Sequence, residues 1–359
     1  MLDFIKEHES SWDKMVAEKR PLYVYGTGNG FDRIYSVMQN YGIKVSGVFV
    51  SDERYKPNKK FIGFETVPMS EFVSTVDDCA VVLAFGTELP DVIATIYDIS
   101  ERYRLYVPDV PVFGSGLFNY KFCLENSVKI QKAYNLFKDD FSKKVYADII
   151  NFKISGDIKY LKEITSSKDD IYKILNLSDN EVFYDLGAYN GDTVEEFILQ
   201  TKGKYDSIVA MEPDSKNFAK LTKTVENLGA HNIELLKYAA WSLETEIPFS
   251  SKAGRQSAFD TNSKTTAPAK SVDNIYSDDD PYPTYIKIDV EGADKEALWG
   301  ASETIAKYSP KIAVSLYHCN EDIFEIPLSI DSINQSYNFY IRHLPYIPAW
   351  ETNLYAIKN

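Results

Sequence analysis

The chain has 359 residues, of which 44% are hydrophobic and 26% charged, so it is long enough for two compact units and too apolar for extensive disorder. Its net charge of −14 disfavours nucleic acid and anionic membranes as partners, because both repel an acidic surface. No run of about 18 apolar residues occurs, which excludes a membrane-spanning helix. The three cysteines are far apart in the sequence and the N-terminus lacks an apolar signal segment, so we expect a cytoplasmic protein.

Strands alternate with helices over residues 1–115, which predicts a small Rossmann-like α/β domain with a parallel sheet. The first strand, 22–25, runs into the glycine turn 26–30 and a helix. That turn could hold a phosphate, with Asp52 at the end of the second strand binding a ribose. Phe31 stands where the dinucleotide motif has its third glycine, so two interpretations remain open. The domain either binds a nucleotide or nucleotide sugar, or serves docking or homo-oligomerisation.

Residues 116–175 are expected to form a helical connector. Apolar residues recur at three-to-four spacing from Ile130 to Ile150, with a break near Gly156. This segment is too apolar for a free linker. We expect it to pack over the second unit and to form one wall of a substrate pocket.

The second unit, residues 176–359, opens on a buried strand, a glycine loop and a helix from about Asp192. Gly187 and Gly191 lack the Cβ atoms that would block a ligand, and the Asp185 carboxylate can accept hydrogen bonds from an ammonium group. This loop suits an amino-acid zwitterion better than a pyrophosphate. The predicted cofactor-binding residues of the loop are Asp185, Gly187, Ala188, Tyr189, Asn190, Gly191, Asp192 and Thr193.

The second strand of this unit ends in Glu212 and Pro213, where a carboxylate could accept hydrogen bonds from both hydroxyls of a ribose. In the alternative interpretation, Glu212 only supports the N-terminus of the following helix. We predict that a third strand runs from 233 to 241. Its small residues near Ala240 and Trp241 would leave room for an adenine ring.

A polar stretch, residues 250–270, is predicted to be a mobile loop over the site. Arg255 and Ser257 are its candidate substrate contacts.

The fourth and fifth strands end in ionisable residues, which the sheet would bring to one edge. Asp289 and Glu291 follow the fourth strand, and His318 follows the fifth. Either Asp289 or His318 could act as a general base; His318 could instead make a structural hydrogen bond. Asp289, Glu291 and Asp294 could bind a divalent cation, but the strand and helix directions would send them apart and no pair of histidines accompanies them, so the sequence predicts no metal site. Two aromatic strands, from 337 and 352, then form a C-terminal hairpin.

Four stretches of the second unit resemble the FkbM family of methyltransferases, in this order along the chain: DLGAYNGDT, AMEPDSKNF, SVDNI and YIKIDVEGADKEALWGA. The resemblance implies a class I methyltransferase fold, which is Rossmann-like with a mostly parallel seven-stranded sheet and a C-terminal hairpin. It also implies methyl transfer from S-adenosyl-L-methionine to an oxygen of a glycan or small natural product. By position, Asp185, Gly187 and Gly191 would shape the methionine pocket, Glu212 would hold the ribose, and Asp289 would lie near the transferred methyl group.

Two other function classes remain as alternatives. A nicotinamide-dependent oxidoreductase would account for two glycine turns, although neither turn completes the dinucleotide motif. A non-catalytic nucleotide-binding or nucleotide-sugar-binding protein would not need Asp185, Glu212 and Asp289 to act together. The methyltransferase prediction therefore rests on the order of those three acids on successive strands.

Overall fold

The computed structural model describes residues 2–250, 258–259, 263–276 and 281–358. Arg255 and Ser257, the candidate contacts of the polar stretch, lie outside these residues. Within the described residues, no helix has the length and apolar character needed to cross a membrane.

The N-terminal part of the chain folds into a sheet flanked by helices. Its strands are β1 (Leu22–Tyr25), β2 (Gly47–Val50), β3 (Lys60–Phe61), β4 (Phe64–Pro68), β5 (Ala80–Leu83) and β6 (Arg104–Tyr106). Its helices are α1 (Ser11–Ala17), α2 (Asn29–Asn40), α3 (Met69–Thr75) and α4 (Pro90–Arg102). The described strands are ordered β3-β4-β2-β1-β5-β6, and all neighbours are parallel except β3 and β4. This confirms the predicted Rossmann-like sheet, with β3, β4 and β6 as strands that the sequence analysis did not identify.

Helices follow, as predicted, in the connector. They are α5 (Tyr120–Glu125), α6 (Ser127–Leu136), α7 (Asp140–Ser155), α8 (Lys159–Lys162) and α9 (Lys168–Leu175). Helix α7 ends at Gly156, whose φ of 64° lies in the left-handed region that glycine tolerates.

The buried Arg342 fixes the connector to the following sheet. Its Nη1 donates to Ser142 Oγ at 2.6 Å and its Nη2 to Asp139 Oδ2 at 2.8 Å. The connector thus packs on the second unit, as expected.

The C-terminal part contains the second large sheet. Its strands are β7 (Val182–Leu186), β8 (Ser207–Met211), β9 (Ile233–Leu236), β14 (Tyr285–Ile288), β15 (Lys311–Ser315), β16 (Tyr337–His343) and β17 (Thr352–Lys358). Its helices are α10 (Asp192–Gln200), α11 (Ser215–Leu228), α12 (Asp294–Trp299), α13 (Ser302–Tyr308) and α14 (Asp322–Ile333). Among the described residues the order is β16-β17-β15-β14-β7-β8-β9. Strand β17 is antiparallel to both of its neighbours, β15 and β16, and the other pairs are parallel. The mostly parallel seven-stranded sheet with a C-terminal hairpin is confirmed.

A smaller sheet interrupts this unit and corrects two predictions. It contains β10 (Ala239–Ala240), β11 (Thr245–Ser250), β12 (Ala258–Phe259) and β13 (Thr266–Lys270), in the order β10-β13-β11-β12. The predicted third strand therefore ends at Leu236 rather than at Trp241, because Ala239 and Ala240 leave the large sheet to pair with β13. The polar stretch 250–270 is likewise not a loop throughout, since 266–270 pairs with β11.

Strand register places the functional side chains at one edge of the large sheet. Asp185 of β7 lies opposite Lys287 of β14 and Ala210 of β8, so these three strands end side by side. After β7 the chain turns beneath β8, and the N–H groups of Gly187 and Ala188 donate to Met211 O at 3.1 and 2.9 Å. The loops that follow these strands therefore meet in one place.

Candidate functional site

A cavity of about 540 Å³ opens where β7, β8 and β14 end. Its volume falls within the roughly 300–1,000 Å³ usual for small-molecule sites. Of the predicted cofactor-binding residues, those that line it are Gly187, Tyr189, Asp192, Thr193, Glu212, Pro213, Ala240 and Asp289. The other members of that set do not line the cavity; these are Asp185, Ala188, Asn190, Gly191 and Trp241. The catalytic candidate His318 does not line it either.

The glycine loop takes its shape from two left-handed backbone positions that glycine fills. Gly187 has φ +89°, and a Cβ there would lie 2.0 Å from the carbonyl oxygen of Asp289. Gly191 has φ +88°, and a Cβ there would lie 3.1 Å from Leu221 Cδ1. The glycines therefore permit close packing of the loop against β14 and α11, and Gly187 is needed more for this packing than for ligand access.

Glu212 connects the glycine loop to the end of β8. Its Oε2 accepts from the Tyr189 N–H at 3.0 Å and its Oε1 from the Asp214 N–H at 2.8 Å. Burial raises the pKa of Glu212 to about 7, although these backbone donors oppose the shift. The Asn217 side chain also hydrogen-bonds to this carboxylate, so of its roughly four lone-pair positions about one is left for a ligand hydroxyl in the cavity.

The small sheet forms an apolar end of the cavity. The side chains that line it there are Ala239, Ala240, Ile247, Phe249 and Phe259. Trp241 is not among them. Its ring packs on Phe259 with centroids 4.9 Å apart, so it supports this end from outside. The predicted space beside Ala240 exists, but it is enclosed by strands β11 and β12, which the sequence analysis did not identify.

Lys287 is a site residue that the sequence analysis missed. Its Nζ lies 3.2 Å from Asp185 Oδ1 and 3.9 Å from Asp289 Oδ2, and it donates to Gly187 O at 3.1 Å. Burial alone would lower the pKa of Lys287, but Asp185 and Asp289 raise it above its ordinary value. The available signal was a lone lysine between Ile286 and Ile288 in a strand that is otherwise apolar.

Asp185 is completely buried beneath Lys287. Burial raises its pKa, and the Lys287 ammonium opposes that rise. The ammonium group beside Asp185 is therefore that of Lys287, in the position where the sequence analysis expected the ammonium of a ligand. Lys287 itself lines the cavity and presents a positive charge to it.

His318 lies at the same edge as Asp289, as predicted, and is fully buried. Its Nδ1 is 2.7 Å from Asp294 Oδ2, and its Nε2 is 3.3 Å from Asp289 Oδ1 and 3.7 Å from Glu291 Oε2. Burial would lower the pKa of His318, but these carboxylates, with Asp294 foremost, raise it to about 10. The expectation that Asp289, Glu291 and Asp294 point apart is wrong, because the tight turn between β14 and α12 directs all three acids toward one imidazole.

The side of the cavity away from the small sheet contains polar and aromatic groups. The residues that line it there include Ser315, Tyr317, Tyr346, Glu351 and Asn353 from the C-terminal unit, Glu88 from the N-terminal unit, and Ser166 to Lys168 from the connector. The loop that carries Tyr346 is attached to the N-terminal unit, since the backbones of Thr87 and Ile347 exchange hydrogen bonds of 2.8 and 3.0 Å. All three parts of the chain thus contribute to the wall.

The glycine turn of the N-terminal unit is occupied by an aromatic side chain. A Cβ on Gly26 would lie 2.3 Å from Phe85 Cδ1. Phe31, in place of a third glycine, is fully buried and packs edge-on against Phe61 with centroids 4.6 Å apart. Asp52 accepts hydrogen bonds from Ser70 N and Oγ at 3.0 and 3.2 Å. These contacts give the turn and Asp52 structural roles.

Part of the C-terminal unit matches a known protein family. Residues 185–343 match the model of the methyltransferase FkbM domain. The match covers the four stretches that resemble this family in the sequence, so the resemblance is confirmed over these residues. No curated protein matches the chain.

One solved structure matches the fold of nearly the whole chain, and others match part of it weakly. A crystal structure of methyltransferase FkbM from Methylobacillus flagellatus KT is 21% identical, with a TM-score of 0.74, and the match covers 99% of this chain and 95% of that one. A SAM-dependent methyltransferase from Aquifex aeolicus is 14% identical over 61% of this chain and 98% of its own, with a TM-score of 0.34. An rRNA methylase from Streptococcus thermophilus is 13% identical over 54% and 98%, with a TM-score of 0.35. The similarity to the Methylobacillus protein thus extends beyond the FkbM domain to the N-terminal unit and connector.

Proposed function

We propose that the protein transfers a methyl group from S-adenosylmethionine to a hydroxyl oxygen of a glycan or small natural product. The observation that carries this proposal is the single cavity shared by Glu212, the glycine loop, Lys287 and Asp289. Its lining brings together an acid for a ribose, small apolar side chains for an adenine and a lysine ammonium for the carboxylate of an amino acid. The match of residues 185–343 to the methyltransferase FkbM domain supports the same reaction.

The residues present fit each part of S-adenosylmethionine. Glu212 lines the cavity and keeps acceptor capacity for a ribose hydroxyl, and the small residues Ala239 and Ala240 border the apolar end where the adenine would lie. Lys287 offers its ammonium to the methionine carboxylate. Asp185 would act through Lys287 as a positioning residue, since it holds that ammonium in place at 3.2 Å. The bound cofactor supplies a methyl group on a positively charged sulfur.

Asp289 is the better placed of the two candidate bases. It lines the cavity, whereas His318 is buried behind it with Nδ1 held by Asp294. A hydroxyl is a weak nucleophile until it loses its proton, and a positioned base contributes about 100-fold to 10,000-fold. Asp289 would accept that proton, and the surrounding walls would align the hydroxyl with the methyl carbon and exclude water.

Cofactor binding is tested by calorimetry with S-adenosylhomocysteine. We expect saturable binding to the wild type and at least tenfold weaker binding to Glu212→Gln, which keeps the shape of the side chain but loses its charge. Glu226→Gln, at an exposed position in helix α11, is the matched control and should bind as the wild type does. NAD and a nucleotide sugar are titrated in parallel. Absence of binding by S-adenosylhomocysteine together with binding of either rival ligand would reject the proposal.

The acceptor is sought by incubating the protein with labelled S-adenosylmethionine and a small-molecule extract of its host. We expect label in a hydroxylated compound, and loss of that transfer in Asp289→Asn. If Asp289→Asn retains full turnover while a His318 variant loses it, the base has been assigned to the wrong residue.

A further inference from the structure

A cluster of ligand-type side chains lies directly behind the cavity wall where methyl transfer is proposed to occur. His318, Asp289 and Asp294 bring three potential metal-binding atoms within 4.8 Å of one another, and Glu291 Oε2 is 3.7 Å from His318 Nε2. The side chains of Asp289 and Glu291 are 29% and 25% exposed, and both line the cavity. The cluster is therefore reached from the cavity through these two carboxylates.

Asp294 orients the imidazole. Its Oδ2 contacts His318 Nδ1 at 2.7 Å, and the same carboxylate accepts from the backbone N–H groups of Val290 and Gly292 at 3.1 and 3.2 Å. A histidine whose one ring nitrogen is held by a carboxylate presents the other nitrogen in a fixed direction, as in the carboxylate–histidine pairs of metal sites. The rings of Tyr317 and Phe113 pack beside the imidazole, with centroids 4.4 and 5.9 Å from it.

The second ring nitrogen of His318 is directed at the two cavity-lining acids. Nε2 is buried and makes no hydrogen bond with any described residue, although Asp289 Oδ1 is only 3.3 Å away. A buried polar atom without a hydrogen bond is costly in a native fold. A divalent cation on that side of the ring would bind the Nε2 lone pair in place of a proton, and the two carboxylates that favour a proton there would favour the cation as well.

The spacing of these atoms fits shared coordination. Ligands about 2.1 Å from one cation lie about 3.0 Å apart at a right angle and about 3.4 Å apart in a tetrahedron, given usual metal–nitrogen and metal–oxygen lengths. The distances of 3.3 and 3.7 Å from Nε2 to Asp289 and Glu291 are close to this range. We propose that His318 Nε2, Asp289 Oδ1 and Glu291 Oε2 bind a divalent cation, with Asp294 as the residue that orients the histidine.

The chemical nature of the three proposed ligand atoms indicates which kind of cation would bind. One imidazole nitrogen with two carboxylates suits a first-row transition-metal ion such as Mn²⁺ or Zn²⁺ better than Mg²⁺ or Ca²⁺, which prefer oxygen ligands. A cation bound here would be next to Asp289, the residue proposed to accept the proton of the acceptor hydroxyl. It would lower the pKa of a hydroxyl that binds to it, which deepens the proposed function and rests on it.

The test uses the full chain after treatment with a chelator, titrated with Mn²⁺ and followed by electron paramagnetic resonance. We expect one Mn²⁺ per chain, with a nitrogen coupling from the imidazole in the spin-echo signal. Glu291→Gln should weaken binding at least tenfold, whereas the matched control Glu303→Gln, an exposed glutamate outside the cluster, should not. His318→Asn should remove the nitrogen coupling; if that variant fails to fold, Glu291→Gln still decides.

Two results would overturn the inference. The first is the absence of stoichiometric binding of Mn²⁺, Co²⁺ and Zn²⁺ to the wild type. The second is equal Mn²⁺ affinity of Glu291→Gln and Glu303→Gln. S-adenosylhomocysteine binding is measured on the same chelated sample. If the cofactor binds there and the metal does not, only the cation site is wrong; if the metal binds and the cofactor does not, the proposed methyl donor is wrong.

Discussion

The acidity of Glu212 makes cofactor affinity dependent on pH. Its side chain is buried, and burial raises its pKa to about 7. A ribose diol donates hydrogen bonds, so it favours the ionised carboxylate over the protonated form. Binding should therefore be strongest above the pKa and should weaken as the pH falls through it. The same raised pKa affects folding in the opposite direction. Because the native state binds this proton more tightly than the unfolded chain, the contribution of Glu212 to the free energy of unfolding decreases as the pH rises.

The size of the effect follows from the ionised fraction. With a pKa of about 7, roughly nine-tenths of Glu212 is ionised at pH 8 and roughly one-tenth at pH 6. If only the carboxylate form binds the ribose, the dissociation constant of S-adenosylhomocysteine rises by up to about tenfold between these pH values, which equals about 1.4 kcal/mol.

The assay is calorimetric titration of S-adenosylhomocysteine at pH 6, 7 and 8. Glu212→Gln should bind weakly and with little dependence on pH, and its residual slope reports any other titrating group. Glu226→Gln should reproduce the wild-type slope. A wild-type dissociation constant that stays constant from pH 6 to pH 8, with weak binding by Glu212→Gln, would refute the raised pKa of Glu212.

Two substitutions test the other charged and backbone features of the site. Lys287→Met leaves Asp185 buried without its cation, so we expect the free energy of unfolding, measured by urea denaturation, to fall by about 3–5 kcal/mol. The control is Lys295→Met at an exposed ion pair, which should lower the free energy of unfolding by about 1 kcal/mol or less. Gly187→Ala places a Cβ 2.0 Å from a backbone oxygen at φ +89°, so S-adenosylhomocysteine affinity should fall about tenfold or more. Gly203→Ala, at φ +73° with nothing within 4 Å, should lose about 1–2 kcal/mol of stability and keep its affinity.

The contrary outcomes are specific. Equal losses of stability for Lys287→Met and Lys295→Met would mean that the Asp185 carboxylate does not depend on Lys287. Equal affinities for Gly187→Ala and Gly203→Ala would mean that the close approach of the loop to β14 does not shape the cofactor site.

Local patterns predicted the elements on which the site is built. An apolar run that ends in a glycine turn and then changes to helical spacing specifies strand, turn and helix over β7 and α10. Strand β8 and helix α11 were predicted from an apolar run that ends at Glu212 and Pro213. Since parallel strands place their carboxyl ends at one edge, the order of Asp185, Glu212 and Asp289 was enough to predict that the loops after their strands meet. The C-terminal hairpin was also predictable from the sequence, because two aromatic strands flank a loop that contains Pro345 and Pro348.

The sequence alone determined the parallel α/β architecture, the FkbM resemblance and the sheet edge where the acids collect. Only tertiary structure decided which group each acid faces. Asp185 contacts Lys287 because neighbouring strands bring them into register, and that pairing depends on hydrogen bonds between segments about 100 residues apart. The convergence of Asp289, Glu291 and Asp294 on His318 depends on the turn after β14 and on the position of β15 beside it, which no local pattern encodes. The glycine loop was predicted as a ligand-binding turn, and the structure adds that Gly187 is required for contact with β14 as well.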